Sequence, residues 1–138
     1  MATRNGAVTT DGTFDFNNPA NWQFGIVPGA FDIAEFDQPV FDTVTGNATV
    51  AELRFTSGAI ALAGSYTISG AQFTELAIDG PVTAVLIDAG ASISGTGPIS
   101  LSNGGALIIA GTLSGSSLTN TDGQLIFSEP GSVSTSEQ

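Results

Sequence analysis

From Ala59 onward the chain repeats one small unit: an aliphatic residue, a small or acidic residue, then glycine. It occurs as Leu62-Ala63-Gly64, Ile68-Ser69-Gly70, Ile78-Asp79-Gly80, Ile93-Ser94-Gly95, Ile109-Ala110-Gly111 and Leu113-Ser114-Gly115. Two residues before each aliphatic stands Ile60, Tyr66, Leu76, Ala91, Leu107 or Gly111. Mostly apolar and mostly small residues therefore alternate with a period of two, the mark of short strands with one buried face. Each strand closes on glycine, which accepts the positive φ angles of tight corners. Nothing repeats with helical period, so the chain reads as almost all β.

Short strands with small outward residues fit two architectures, a β-sandwich and a β-solenoid. The apolar clusters Tyr66–Ile68, Val85–Ile87, Leu107–Ile109 and Leu125–Phe127 follow one another at 19, 22 and 18 residues, one solenoid coil each. A sandwich more often carries larger aromatic core residues and charged outer faces. The favoured fold is a parallel β-helix of 138 residues in one domain. Its parts are an N-terminal arm and cap over 1–42, rungs over 43–128 and a polar tail over 129–138.

Large side chains are distributed unevenly. Seven of eleven aromatics lie between residues 14 and 41: Phe14, Phe16, Trp22, Phe24, Phe31, Phe36 and Phe41. A solenoid exposes core and strand edges at its ends, and large rings cover an open cross-section that small aliphatics do not. We read this stretch as an aromatic N-terminal cap. An exposed aromatic binding surface is the other reading.

The segment Asn21-Trp22, Gly25, Val27-Pro28, Asp32, Ala34 and Phe36 resembles the N-W-x-x-G-x-V-P-x-x-x-D-x-A-x-F opening of bacterial autotransporter-like passenger domains. The rungs VAELRFTSGAIALAGSYTISG and GGALIIAGTLSG look like the associated β-strand repeats of that family, and the likeness runs from about residue 12 to 127. It implies a right-handed parallel β-helix with a structural or adhesive role, exported to the cell surface or beyond. The 138 residues are far fewer than most such passengers have and include no membrane β-barrel, so the self-transport route is not the expectation; some signal-less relatives use one-step secretion, which the N-terminal Met1 would fit.

Charge narrows the partners. Thirteen acids against two arginines give a net charge of −11, which sets the chain against nucleic acid and anionic membrane. No apolar run reaches spanning length, so no membrane insertion is expected, and MATRNGAVTTDG holds no apolar signal core. Without cysteine there is no thiolate zinc site and no thiol chemistry.

Without histidine or lysine, and with no G-x-S-x-G elbow, the serines lack the base that nucleophilic attack needs. SGTGPIS and SNGGAL are glycine-rich but have no phosphate-loop lysine. Arg54 alternates with Leu53 and Phe55 and is placed outward. A carboxylate pair suffices for glycoside cleavage, and Asp32, Glu35, Asp37 and Asp42 cluster in sequence, yet solvated acids of a cap explain them at least as well. No enzyme activity and no cofactor are expected.

Calcium is the one metal the residues invite, with Asp11, Asp15, Asp32, Glu35 and Asp37 as candidate ligands beside Asn17 and Asn18. The favoured reading of these residues is that they serve turns and caps. An ice-binding plane needs regular Thr-x-Thr rungs, and Thr43-Val44-Thr45 with Thr119-Asn120-Thr121 are too few. The expected function is structural or adhesive, with the chain itself as a partner through head-to-tail stacking or donation of the N-terminal arm. The rival is a carbohydrate-binding module that stacks Trp22, Tyr66 or an exposed Phe on a surface glycan. Burial of Trp22 discriminates between them.

Overall fold

The computed structural model describes residues 3–7, 11–69, 75–80 and 83–127, and the backbone of Ser132–Thr135. From the third strand onward, strand segments recur in threes, each third strand returning to the same sheet one coil further on. The first sheet takes β1 (Thr3–Asn5), β3 (Ile33–Phe36), β6 (Glu52–Phe55), β9 (Leu76–Asp79), β12 (Pro98–Ser102) and β15 (Ser117–Thr121). The second takes β2 (Gly12–Asp15), β4 (Phe41–Thr45), β7 (Gly58–Leu62), β10 (Thr83–Ile87), β13 (Ala106–Ile109) and β16 (Gln124–Phe127). The third takes β5 (Ala48–Val50), β8 (Ser65–Ile68), β11 (Ser92–Ser94), β14 (Thr112–Gly115) and β17 (Ser132–Thr135). Every strand pairing is parallel, as stacked coils require. The chain is a parallel β-solenoid, with no α-helix among the described residues.

Period-two alternation decides which side chains line the interior. One inward ladder runs Leu53, Leu76, Ile99 and Leu118, and another Ile60, Val85, Leu107 and Leu125. Leu53, Leu76, Ile99, Val85 and Leu107 are fully covered. Each such aliphatic contributes on the order of 1.5–3 kcal/mol, and from β9 onward the described core is aliphatic, without large rings among its buried residues. Arg54 points away from Leu53 and Phe55, as alternation requires.

Three details depart from the sequence reading. First, Tyr66 pairs with Ile93 in the third sheet, whereas the second-sheet partner of Val85 is Ile60, 25 residues earlier. The spacing of 19 joined two different sheets; those of 22 and 18 are true coil lengths. Second, the segment read as a polar tail contributes β17, paired to β14. Third, the arm is not free to be donated, because β1 is paired with β3 of its own chain.

Gly64, Gly80, Gly95 and Gly111 stand between strands and Gly115 ends β14, but for a different physical reason than expected. Gly80 alone of the described set has positive φ, +132°. At Gly64 a β-carbon would collide with the Gly46 carbonyl, and at Gly95 with the Glu75 carboxyl. At Gly111 it would strike the Ala91 and Asp88 carbonyls, and at Gly115 it would lie 2.8 Å from the Gly97 oxygen. Crowding by the neighbouring coil, not backbone angle, excludes side chains there. Gly70 lies outside the described residues.

Candidate functional site

The aromatic cap divides into two groups. Phe14, Phe16, Trp22 and Phe36 are buried, whereas Phe24, Phe31 and Phe41 are 89, 80 and 69% exposed. The indole stands edge-on to Phe14, Phe16 and Phe36 at centroid distances of 5.1, 5.0 and 5.5 Å. Its Nε1–H donates to the Phe16 carbonyl at 2.8 Å, so the one polar group of the ring is satisfied. Phe36 stacks on Phe55 at 5.0 Å, and Phe16 reaches Tyr66 at 5.8 Å, which ties the cluster to the aliphatic core. Tyr66 is buried and donates to the Val44 carbonyl, and burial pushes its hydroxyl up to about 12. Neither Trp22 nor Tyr66 is open to a sugar ring.

Local sequence explains the split. Asn18 caps the 3-10 turn Pro19–Asn21 by accepting from the Ala20 amide, and the chain then turns so that Trp22 enters the core. A second turn, Gln23–Gly25, holds Phe24 at φ +62° and leaves its ring outside. In chain order these turns stand where a third-sheet strand of the first coil would be.

The calcium candidates do not come together: among the described residues no three acidic side chains are grouped as a cation would need. Each is engaged with the protein. Asp11 accepts from the Phe41 amide and Asp15 from the Asn17 amide. Asp32 accepts from the Gly29 amide and lies 3.8 Å from Arg4. Glu35 meets Arg54 at 3.4 Å, and Asp37 accepts from the Asn5 side chain at 3.0 Å. Asp42, placed by the sequence among solvated acids, occupies an inward position of β4 and is 5% exposed. Burial raises its pKa and the nearby Asp11 adds to that, against the Gly12 amide, which lowers it.

A second buried carboxylate was not foreseen. Glu75 is fully covered, with one oxygen accepting from the Gly97 amide at 3.1 Å and the other without a hydrogen-bond partner among the described residues. Burial pushes its pKa up to about 7, the Gly97 amide opposing. In the unfolded chain the same carboxyl ionises near 4.5. The folded state therefore holds the proton longer, and stability falls as pH rises from about 4.5 to about 7, then levels. We expect Glu75→Gln to remove this loss and to stabilise the protein at pH 8 by roughly 1–3 kcal/mol, with little change at pH 4. Melting curves of both proteins at the two pH values check this; an equal difference at both would contradict it.

The outer surfaces of the three sheets differ in chemistry. The first carries the charged network in which Arg54 bridges Glu52 at 3.0 Å and Glu35. The third presents hydroxyls: Thr49 pairs with Thr67 and Thr67 with Ser94, while Ser65, Ser92 and Thr112 form a parallel row. Small outward residues suit stacked ladders of this kind, but the sequence does not say which residues align; Thr43 to Thr45 and Thr119 to Thr121 fall on different sheets. The second sheet is apolar outside, with Ala59, Ala61, Ala84, Leu86 and Ile108 half-buried along it. A shallow depression of about 290 Å³ opens there beside Phe41.

The last described coil is less covered than the rest. Leu118 and Leu125 are only partly buried, and Ile126 and Phe127 are 46 and 55% exposed. With Phe24, Ile26, Phe31 and Phe41 these are the exposed large hydrophobics of the described residues. No family model, curated protein or solved structure matches the chain, so its likeness to known proteins rests on the β-solenoid fold alone.

Proposed function

We propose that the chain is a non-catalytic structural or adhesive solenoid of the autotransporter-like kind, acting outside the cell or at its surface, and that copies join end to end. The observation that carries this is where exposed apolar groups and strand edges coincide. Phe24, Ile26 and Phe31 stand on the cap, and at the opposite edge of the stack Phe127 of β16, which continues the inward ladder of Ile87 and Ile109, is 55% exposed. Edge strands present unpaired amide and carbonyl groups that recruit further strands. Because all pairings are parallel, β1 and β2 of a neighbour meet β15 and β16 in the direction the ladder already runs. Such a contact is heterologous and does not close, so it grows into filaments.

The test is negative-stain microscopy with size-exclusion chromatography on the full chain. Filaments or a concentration-dependent ladder of oligomers are expected, shortened by Phe127→Asp, which places a charge in the joint. A folded monomer at every accessible concentration would overturn the reading. The carbohydrate alternative retains one observation in its favour, the exposure of Phe24, Phe31 and Phe41. Co-sedimentation with insoluble polysaccharides, lost in Phe31→Ala, would favour it.

A further inference from the structure

We propose that the outer face of the second sheet is a docking surface for a second copy of the chain, packed face to face with the two solenoid axes antiparallel. The outward residues of β4, β7, β10 and β13 carry no charge, and the one acid among the outward residues of β2, Asp15, stands at the end of that strand beside Thr45. In a chain of net charge −11, this face lets two copies approach without setting carboxylates against one another. The contact is lateral, so it stands or falls separately from joining at the ends.

Register supplies the geometry. Two outward ladders cross this face. Phe41 aligns with Ala59 and Ala84 in one. Thr13 aligns with Thr43, then with Ala61, Leu86 and Ile108 in the other. A two-fold axis lying between the faces and parallel to β7 preserves position along a strand and reverses the order of coils. It therefore sets Phe41 against Ala84 of the second copy, and Leu86 against that copy's Thr43. One coil further out it sets Ile108 against Thr13, while Ala59 and Ala61 meet their own equivalents. In each of these three off-axis pairs a large side chain faces a small one, the condition for two layers to interdigitate. The ring of Phe41, 69% exposed in the single chain, enters the depression of about 290 Å³ beside Ala84. Sheets stacked this way lie about 10 Å apart, within reach of these side chains. Displacing the axis by one coil would set Phe41 against Phe41 or against Gln124, and would lose the pairing of Leu86 with Thr43.

Sedimentation equilibrium of the full chain, with circular dichroism as a check on folding, tests this. The parent is expected to pair, Phe41→Ala to weaken the pair by about ten-fold or more, and Ala84→Phe to do the same by opposing two rings. The double variant Phe41→Ala with Ala84→Phe recreates a large residue against a small one and is expected to recover pairing to within a few-fold of the parent. Phe127→Asp, which disturbs the end and leaves this face alone, is expected to pair normally. A parent that stays monomeric once end joining is removed overturns the proposal. So does a Phe41→Ala variant that pairs as tightly as the parent, or a folded double variant that does not recover.

Discussion

Trp22→Ala is expected to destabilise the protein by about 3–5 kcal/mol, the range for truncating a large buried aromatic. The indole is 2% exposed and packs edge-on against three phenylalanines. Its removal leaves a cavity that Phe14 and Phe36, themselves fixed by strands, do not fill. It also strands the Phe16 carbonyl, which receives the indole N–H at 2.8 Å in the buried cluster. Phe24→Ala, two residues along, is the matched control: its ring is 89% exposed, and the change is expected to stay within about 0.5 kcal/mol. Urea unfolding followed by circular dichroism measures both. Similar losses for the two would contradict the division of the cap into an inner and an outer set.

The second large effect is expected at a corner. Gly111→Ala places a β-carbon against the carbonyls of Ala91 and Asp88 and 3.0 Å from the Ile87 side chain. Those carbonyls belong to the preceding coil, and the Gly111 amide is itself tied to Ile87 at 2.9 Å, so neither side can withdraw without opening the ladder. We expect a loss of about 2–4 kcal/mol, the upper part of the range for overpacking. Gly90→Ala separates crowding from backbone angle: that residue has φ +87° and nothing near its β-carbon, so about 1–2 kcal/mol is expected. A Gly111→Ala melting temperature equal to the parent's would remove the close coil contact from the account.

The features legible in the sequence were those that depend on neighbours along the chain. Alternation at Leu107 and Ile109, or at Tyr66 and Ile68, marks a strand and its inward face without knowledge of its partner. The recurrence of such strands at roughly coil length was enough for a parallel stack. What required register was hidden. Coil lengths vary because corners differ, so Tyr66 and Val85 looked like successive rungs although they belong to different sheets.

The same irregularity hides which residues align in the hydroxyl rows and on the apolar face, whose neighbours on β4, β7, β8, β10 and β11 lie 18 to 27 residues apart at unequal intervals. Within the cap, composition pointed to burial of rings but not to which ones. Phe24 stands outside in a turn where it and Gly25 both take left-handed backbone angles, φ +62° and +67°, which no local pattern announces for a phenylalanine. Asp42 was misplaced for a related reason. Alternation within β4 sends it inward with Val44, and its charge suggested the opposite.

The central claim, that this solenoid functions by presenting its ends to other copies, is tested most directly by amide hydrogen exchange as a function of protein concentration. In a single chain the outward amides of β15 and β16 have no neighbouring strand among the described residues and exchange by local opening, whereas those of β10 are paired on both sides. Lateral pairing through the second sheet's outer face does not cover these edge amides. Protection over 117–127 is expected to rise with concentration toward that of β10, and Phe127→Asp to abolish the rise. Protection over 117–127 that stays the same from dilute to concentrated solution would contradict it.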